Sequence, residues 1–374
     1  MAEEEIGIGV IGFGGFAMFA VQQFLQVPGV RLKGMAGTHR EAAYRAAERY
    51  GVTIEEVETM LAREDVNLVY IATPPFLHYP QGMQALQAGK HVIVEKPIAL
   101  TLEQAKEMAS LAREKNLLLV VNLMQRYNPL YDAMKRLIEE KPLGELLHAY
   151  FENYATDEGL PREHWFWDKE KSGGIFIEHG VHFFDMFEGW LGGGDIVCAQ
   201  STLRPGTKIE EQVQCTARYR DGITVNIYHG FHQPERMDRQ EMRFLFERGD
   251  VTLFEWVPTR LRMHAIAGEK DMRTVCEIFP GGRVNVLQLY HGKDRVCSGR
   301  HKAMDVYQKF EYFWGDENVK MTIYGDLLRS MLLDQLAWLE DRSHRRKITE
   351  ENGIRSLEMA IKAKMRSQTE FGNE

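Results

Sequence analysis

Near the start of the chain, strand-like runs of apolar residues alternate with segments in which the apolar residues have helical spacing. Short, mostly β-branched runs are typical of buried parallel strands, and they occur at 6–11, 30–36, 66–73, 91–94 and 117–121. The segments 79–88 and 101–115 between them have helical spacing. Alternation of strand and helix predicts βαβ units, and hence a parallel, doubly wound α/β sheet.

Beyond residue 146 the apolar period shortens to two. Polar and apolar residues alternate in five runs separated by turn signals, at 197–203, 211–220, 222–231, 242–248 and 250–256. This pattern predicts an open, mostly antiparallel α+β sheet with helices on one face, closed by helices at 326–342 and 349–366. The pattern assigns no pairing to 258–300. Two domains are expected, 1–125 and 126–374, with the C-terminal helices free to pack back on the first.

A glycine-rich turn joins the first strand to the first helix. Gly12 allows the tight turn, Gly14 lets the backbone approach a pyrophosphate, and Ala17 permits close packing of helix on strand. Phe13 and Phe16 occupy variable positions of this G-x-G-x-x-A motif. The helix N-terminus adds unpaired N–H groups suited to phosphate. The first domain is therefore predicted to be a Rossmann domain that binds a dinucleotide.

The residues after the second strand favour NADP(H) over NAD(H). An acidic residue at this point accepts hydrogen bonds from the NAD ribose, but this chain has Thr38, His39 and Arg40 there. A hydroxyl and a guanidinium suit a 2′-phosphate. The alternative is that Thr38 caps the next helix and Arg40 is solvated.

Lys96 stands where the fourth apolar run ends, between Glu95 and Pro97. Ligands of open α/β sheets gather outside the carboxyl ends of the strands, and desolvation there lowers a lysine pKa toward the range useful in proton transfer. Pro74 and Pro75, after the strand that ends at Thr73, turn the chain at the same edge. The alternative is a strand-end turn with a solvated ion pair.

A second cluster of titratable residues lies at 178–185. Helical spacing places Glu178, His182 and Asp185 on one face, where a carboxylate can orient an imidazole for proton transfer. The alternative is that Glu178 and His182 form a hydrogen-bonded pair in the core with no catalytic role. A metal site from Glu178, His179 and His182 is disfavoured, since no distant third ligand is evident.

Composition narrows the function classes. The 374 residues are 44% hydrophobic and 27% charged, with a formal net charge of −8 and no basic cluster, so a nucleic-acid partner is not expected. No apolar run reaches the length of a membrane span, no signal peptide is visible, and the four cysteines form no C-x-x-C pair. A cytoplasmic protein with no membrane partner is expected.

These motifs together resemble the Gfo/Idh/MocA oxidoreductase family, the glucose–fructose oxidoreductase and inositol dehydrogenase group. The matching residues are 12–17, 72–74 with His78, 88–92 leading to 95–97, and 180–182 with Asp185. The resemblance implies that Lys96 contacts the substrate and nicotinamide region and that His182 is the acid/base. The family commonly has Asp where this chain has Glu178, which puts substrate placement in doubt. The expected cofactor-binding residues are Gly12, Phe13, Gly14, Phe16, Ala17, Thr38, His39, Arg40, Thr73, Pro74, His78, Glu95 and Lys96.

The predicted activity is hydride transfer between nicotinamide and a secondary alcohol or ketone of a sugar, sugar derivative or cyclitol, with Lys96, His182 and Glu178 catalytic. Arg126 is equally well explained as a structural ion-pair residue. Trp165 and Trp167 are equally well explained as core residues or as residues of an oligomer interface. A dimer or tetramer through the C-terminal sheet is expected, as in related enzymes. The expected substrate-binding residues are Arg126, Tyr127, Trp165, Trp167, His179 and Asp185.

Three alternatives stay open at this point. The first is a redox-neutral enzyme that cleaves glycosidic bonds with retained cofactor, and the second is a non-enzymatic dinucleotide-binding regulator. The third is a reductase of cyclic ketones or tetrapyrroles. The sequence does not place His229 and His232 relative to the substrate.

Overall fold

A six-stranded parallel sheet organises the first part of the computed structural model, which describes residues 5–37, 40–157 and 159–369. Its strands are β1 (Ile6–Ile11), β2 (Val30–Ala36), β3 (Ile54–Glu55), β4 (Leu68–Ile71), β5 (His91–Val94) and β6 (Leu119–Val121). They lie in the order β3-β2-β1-β4-β5-β6, and every pair is parallel. The order reverses between β1 and β4, which is where open α/β sheets bind ligands. The predicted Rossmann architecture is confirmed.

Five helices connect these strands. They are α1 (Gly15–Phe24), α2 (Arg40–Tyr50), α3 (Val57–Leu61), α4 (His78–Gln87) and α5 (Leu102–Glu114). Thr101 caps α5, since its side chain accepts a hydrogen bond from the main-chain N–H of Gln104 at 3.3 Å. The predicted helices at 79–88 and 101–115 are therefore present with small shifts at their ends.

The next segment alternates helix, strand and helix. It contains α6 (Pro129–Glu140), β7 (Leu146–Thr156), α7 (Lys169–Ser172), a π-helical turn (Phe176–Gly180) and α8 (Val181–Leu191). Helix α6 starts at Pro129, because proline is favoured at the first helical position and the side chain of Asn128 caps the helix.

A nine-stranded sheet dominates the later part of the chain. It contains β7, β8 (Gly194–Leu203), β9 (Glu210–Tyr219), β10 (Thr224–Gln233), β11 (Arg239–Phe246), β12 (Gly249–Phe254), β13 (Arg260–Ala267), β14 (Arg283–Leu289) and β17 (Gln308–Gly315), and a hairpin of β15 (Val296–Gly299) and β16 (Lys302–Asp305) stands apart. The order is β14-β17-β13-β12-β11-β7-β10-β9-β8, and only the β7–β10 pair is parallel. The predicted mostly antiparallel sheet is confirmed.

The segment 258–300, which the sequence pattern did not assign, is regular in structure. It contributes β13 and β14 to the large sheet, with α9 (Glu269–Ile278) between them. Two long helices follow, α10 (Lys320–Glu340) and α11 (Glu350–Thr369). Within the described ranges, no helix combines the length and apolarity that a bilayer crossing requires.

The chain forms two compact units that are each discontinuous in sequence. The first contains residues 1–127, 161–185 and 325–364, and the second contains 128–160, 186–324 and 365–374. This grouping differs from the contiguous division 1–125 and 126–374, since two later segments join the first unit. In that unit the backbone of Gly353 is so close to β6 that an added Cβ would lie 2.3 Å from Val121 Cγ2.

Candidate active site

The turn after β1 leaves an open space in front of α1. Gly12 has φ +107, and an added Cβ there would lie 2.5 Å from the Ala72 main-chain oxygen. Gly14 is the N-cap residue of α1 and makes no side-chain capping hydrogen bond. A Cβ on Gly14 or Gly15 would meet no atom within 4 Å. The main-chain N–H groups of a helix start that faces open space suit a pyrophosphate.

The end of β2 packs against the same turn. Phe13 is buried, and a Cβ added to Gly37 would lie 2.6 Å from the Phe13 ring. Phe16, further along the motif, is half-buried. Thr38 and His39 lie outside the described residues, as does the side chain of Arg40, the first residue of α2. The proposed 2′-phosphate contacts therefore stay a prediction.

The turn after β4 carries the next candidates. The Thr73 hydroxyl donates to Gln81 Oε1 at 2.6 Å, and Pro74 precedes a short 3₁₀ turn, Pro75–Leu77. His78 begins α4 and is buried, with Nδ1 2.6 Å from the Pro97 main-chain oxygen and Nε2 2.7 Å from that of Thr73. Its ring nitrogens therefore face main-chain carbonyls inside the protein.

Lys96 projects from the carboxyl end of β5 toward the π-helical turn. Its Nζ donates to the main-chain oxygen of Glu178 at 2.7 Å and to Glu178 Oε1 at 2.5 Å. The Lys96 side chain is 18% exposed and that of Glu178 is 10% exposed. The structure thus brings together two residues that the sequence analysis named separately.

Glu95 points the opposite way, into the core of the sheet. Its Oε1 accepts hydrogen bonds from the Tyr70 hydroxyl and from Asn122 Nδ2, each at 2.7 Å. Burial raises the pKa of this carboxyl, although both hydrogen bonds act against the rise. Glu95 therefore ties three neighbouring strand ends together behind Lys96. Tyr70 and Asn122 were not predicted from the sequence. The only signal was a polar group within an apolar run for Tyr70 and directly after one for Asn122.

His182 and Glu178 differ sharply in their electrostatic environment. Burial lowers the pKa of His182 well below its usual range, and the Lys96 ammonium adds to that shift, so the imidazole is neutral at pH 7. Burial favours the neutral form of Glu178, but the Lys96 charge and the contact with His179 outweigh it and lower the pKa of this carboxyl. A neutral imidazole beside an ammonium–carboxylate pair can accept a proton while the ammonium stabilises negative charge.

The backbone that presents Glu178 is not the regular α-helix that the sequence spacing assumed. Residues Phe176–Gly180 form a π-helical turn before α8 begins at Val181. Gly173 and Gly174 before it have φ of +86 and +89, respectively. The wider turn changes the α-helical i, i+4 relation of Glu178 to His182, and π-helical turns are frequent at functional sites.

Arg126 and Asp185, both predicted to bind substrate, bind each other. Arg126 Nε lies 2.7 Å from Asp185 Oδ2, and its Nη2 lies 2.8 Å from Asp185 Oδ1. Asn352 Nδ2 donates to Asp185 Oδ1 at 3.1 Å. The pair is largely buried and fixes the first turns of α8, which carry His182. This geometry matches the alternative of a structural ion pair for Arg126.

Tyr127 also has a partner within the protein. Its hydroxyl donates to Asp334 Oδ2 at 2.6 Å, and burial together with that carboxylate raises the pKa of the phenol. Trp167 is buried and Trp165 is half-buried, in a 3₁₀ turn that His164 caps through Nδ1. The following helix α7 contacts the Pro75–Leu77 turn.

His179 lies at the edge of the cluster. Its Nδ1 is 3.7 Å from Glu178 Oε2, and its side chain is about one-fifth exposed, 22%. Within the described part of the chain, no group of three or more histidine, cysteine or acidic side chains is arranged to hold a metal ion. His229, in contrast, belongs to the second unit, on β10.

Comparison with known proteins gives a consistent family. Residues 6–123 match the model of an oxidoreductase family with an NAD-binding Rossmann fold, and residues 131–252 match the GFO/IDH/MocA C-terminal domain. An uncharacterized oxidoreductase of Synechocystis sp. is 30% identical over 69% of this chain and 61% of its own length. The scyllo-inositol 2-dehydrogenase (NAD(+)) of Bacillus subtilis is 28% identical over 51% of this chain and 55% of its own.

The chain thus spans less than two thirds of the length of either relative. Among solved structures, the WlbA dehydrogenase of Bordetella pertussis in complex with NADH and UDP-GlcNAcA has a TM-score of 0.77 and 19% identity. That likeness covers 98% of this chain and 97% of the other, and it supports the fold of both parts of the chain.

Proposed function

Since this chain belongs to the Gfo/Idh/MocA oxidoreductase family, we propose that it transfers a hydride between the nicotinamide of NAD(P) and a secondary alcohol or ketone carbon. The substrate class that we propose is a sugar, a sugar derivative or a cyclitol. The name of the relative from Bacillus subtilis, a scyllo-inositol 2-dehydrogenase, supports this class.

One observation carries the proposal, namely the contact of Lys96 Nζ with Glu178 Oε1 beside a buried His182. A core ion pair alone needs no neutral imidazole next to it. Proton transfer to or from a hydroxyl needs both a base that is neutral at the working pH and a donor for the developing negative charge. In this proposal His182 is the base, and Lys96, held by Glu178, is the donor.

The residues around the β1 turn fit the cofactor. Gly12, Gly14 and Gly15 leave room for a pyrophosphate at the start of α1, and a side chain at Gly12 would collide with Ala72. When bound, the dinucleotide supplies the hydride acceptor or donor. We assign the orientation of the nicotinamide to the Thr73–Pro74 turn and to Lys96.

In the oxidation direction, His182 accepts the proton of the substrate hydroxyl, and Lys96 donates a hydrogen bond to the same oxygen. Glu178 holds the lysine in place through its main-chain oxygen and its carboxylate. These two contacts use two of the three N–H donors of the ammonium, so the third can donate to the substrate oxygen. In the reduction direction the same groups return the proton.

Three finer assignments complete the proposal. We propose NADP(H) in preference to NAD(H), because the residues directly after β2, at positions 37–40, include no carboxylate in the sequence. We propose a homo-oligomer formed through the nine-stranded sheet. The free cysteines Cys198, Cys215, Cys276 and Cys297 support a reducing compartment such as the cytoplasm.

The test is an absorbance screen at the reduced-cofactor band, with both dinucleotides against sugars, cyclitols and their keto forms. We expect turnover with at least one of them, faster with NADP(H) than with NAD(H). On that substrate, Lys96→Met and His182→Ala should each lower kcat/KM by about 10²- to 10⁴-fold, because each removes one proton-handling group.

Matched controls separate these losses from general damage. Lys106→Met changes an exposed lysine of α5, and His264→Ala changes a histidine whose side chain is 41% exposed, so both should retain activity. If Lys96→Met or His182→Ala stayed within a few-fold of the parent, the proposed roles would be wrong.

A further inference from the structure

His78 links the turn after β4 to the turn that carries Lys96. It is the first residue of α4 and is 1% exposed. Its Nδ1 lies 2.6 Å from the main-chain oxygen of Pro97, the residue after Lys96. Its Nε2 lies 2.7 Å from the main-chain oxygen of Thr73. One ring therefore spans the carboxyl ends of two neighbouring strands, β4 and β5.

The two contacts constrain the protonation state of the ring. A main-chain carbonyl oxygen only accepts hydrogen bonds, whereas a neutral imidazole has one N–H and one nitrogen lone pair. A lone pair that faces a carbonyl oxygen at this distance is repelled by it. Both distances instead match charge-assisted hydrogen bonds. Satisfying both carbonyls requires an N–H on each nitrogen, which only the imidazolium has.

The groups around His78 act on this charge in both directions. Burial is the largest influence and lowers the pKa of His78, as does Lys96, so the net shift is downward, although the carbonyls of Pro97 and Thr73 and the Glu178 carboxylate oppose it. The geometry favours the charged ring against that shift, because no neutral tautomer can donate to both carbonyls. Lys96 and Glu178 are paired with each other, so their opposite charges largely cancel at the ring. The two carbonyls are then the main polar groups facing His78, and hydrogen bonds to the charged form favour it over the neutral form.

We propose that His78 is a positioning residue which, as an imidazolium, donates one hydrogen bond to each carbonyl and fixes the Lys96 turn relative to the Thr73 turn. This inference rests on the proposed function, because it gives a task to the turn that carries the catalytic lysine. It removes His78 from direct cofactor contact and makes it the link between the cofactor turn and the lysine turn.

Two amide variants separate the two ends of the link. In His78→Asn, the side-chain N–H₂ can replace Nδ1 and keep the Pro97 contact, while the Thr73 contact is lost. In His78→Gln, the N–H₂ can replace Nε2 and keep the Thr73 contact, while the Pro97 contact is lost. The two variants therefore release different turns from the same position.

We expect the two variants to affect different kinetic constants. His78→Gln should lower kcat by about 100-fold through misplacement of Lys96, with a smaller effect on cofactor affinity. His78→Asn should raise the Kd for NADPH, measured by fluorescence titration, by about tenfold, with a smaller effect on kcat. Tyr79→Phe, next in α4 and bonded only to Glu107 in the hydrogen bonds described here, is the control and should change neither constant.

A spectroscopic measurement tests the charge without any substrate. The chain has 13 histidines, so the protein is made with ring-¹⁵N histidine and the His78 signals are assigned by their loss in His78→Gln. At pH 7.5 we expect both ring nitrogens of His78 in the intact protein to show protonated-type shifts, whereas His182 should show a neutral ring.

One protonated and one unprotonated nitrogen on His78 at pH 7.5 would overturn the proposal, whatever the variants do. Equal losses of kcat and of NADPH affinity in both amide variants would also overturn it. If no sugar or cyclitol gives turnover with the intact protein, the proposed function fails separately, while the ring spectrum and the NADPH titrations still decide the role of His78.

Discussion

His91 shows at the scale of one residue how a buried imidazole makes stability depend on pH. At the start of β5 its Nδ1 accepts a hydrogen bond from the main-chain N–H of Leu118 at 3.1 Å. Burial lowers the pKa of His91 to about 4, and the nearby Arg342 charge acts in the same direction. The folded protein therefore holds this ring neutral at pH values where an unfolded chain would protonate it.

Stability should consequently fall as the pH drops below about 6.5 and continue to fall until the pH nears 4. At pH 5 the loss from His91 is at most about 2 kcal/mol relative to pH 7.5, because the unfolded chain binds a proton that the folded chain does not. His91→Asn keeps an acceptor for Leu118 but does not titrate, so it should reduce this loss. Urea unfolding at pH 7.5 and 5.0 measures the difference.

His291→Asn, which changes an exposed histidine, is the control for that experiment and should leave the acid loss as it is in the parent. An identical acid loss in parent and His91→Asn would contradict the assignment.

Residues at the site divide by whether a local sequence motif marks them. Lys96 and His182 stand in local motifs with recognisable spacing, so the sequence indicated them as candidates. The partner of Tyr127 is Asp334, and a partner of Asp185 is Asn352. These pairs join segments far apart in the chain, and periodicity in one segment carries no information about another.

At the scale of elements, the π-helical turn Phe176–Gly180 decides where the Glu178 carboxylate lies. The sequence predicted a helical run after a glycine pair, and the structure has one, but with a wider turn than an α-helix. Whether this run forms an α-helical or a π-helical turn depends on packing. Gly173 has φ +86, and an added Cβ would lie 2.7 Å from Ile177 Cγ2. A period estimated from apolar spacing does not resolve one extra residue in a single turn.

Gly173→Ala should therefore damage the site through this element. An alanine at position 173 has to adopt a left-handed backbone conformation, and its side chain displaces Ile177, the neighbour of Glu178. We therefore expect a loss of about 2–4 kcal/mol in the free energy of unfolding. We also expect at least a tenfold lower kcat/KM, on the substrate found by the screen.

Gly206→Ala is the matched control, because Gly206 has φ +71 but an added Cβ would meet no atom within 4 Å. It should show the backbone cost of about 1–2 kcal/mol without the loss of activity. Equal effects of the two substitutions on kcat/KM would mean that the Ile177 contact does not hold Glu178 in place.

At the scale of the whole molecule, the sequence predicted the two sheets and left the C-terminal helices free to pack on the first domain, but it carried no signal that 161–185 joins the first unit. Strand and helix periods are local, so they indicated sheet types and most element ends. The discontinuous grouping depends on contacts such as the close approach of Gly353 to Val121, which no local pattern reports. The segment 258–300 resisted prediction for a related reason, since β14 is exposed along its length and has no burial pattern to read.

This grouping predicts the result of two truncations. A chain ending after Tyr324 lacks 325–364 of the first unit, so it should lose NADPH binding and cooperative unfolding of that unit. A chain ending after Lys364 keeps all three segments of the first unit and should retain NADPH binding. Fluorescence titration and thermal unfolding of both proteins provide the measurement, and NADPH binding by the shorter one would contradict the prediction.

The same interleaving sets the order in which a ribosome delivers the protein. The six strands of the parallel sheet are all made by Val121, yet Gly353 of α11, which approaches Val121 of β6 closely, is made much later. At about 5–20 residues per second, the wait between them is roughly 10–50 s. During that time the parallel sheet lacks this contact. A sheet whose strands are complete by Val121 is thus finished only when α11 has been made.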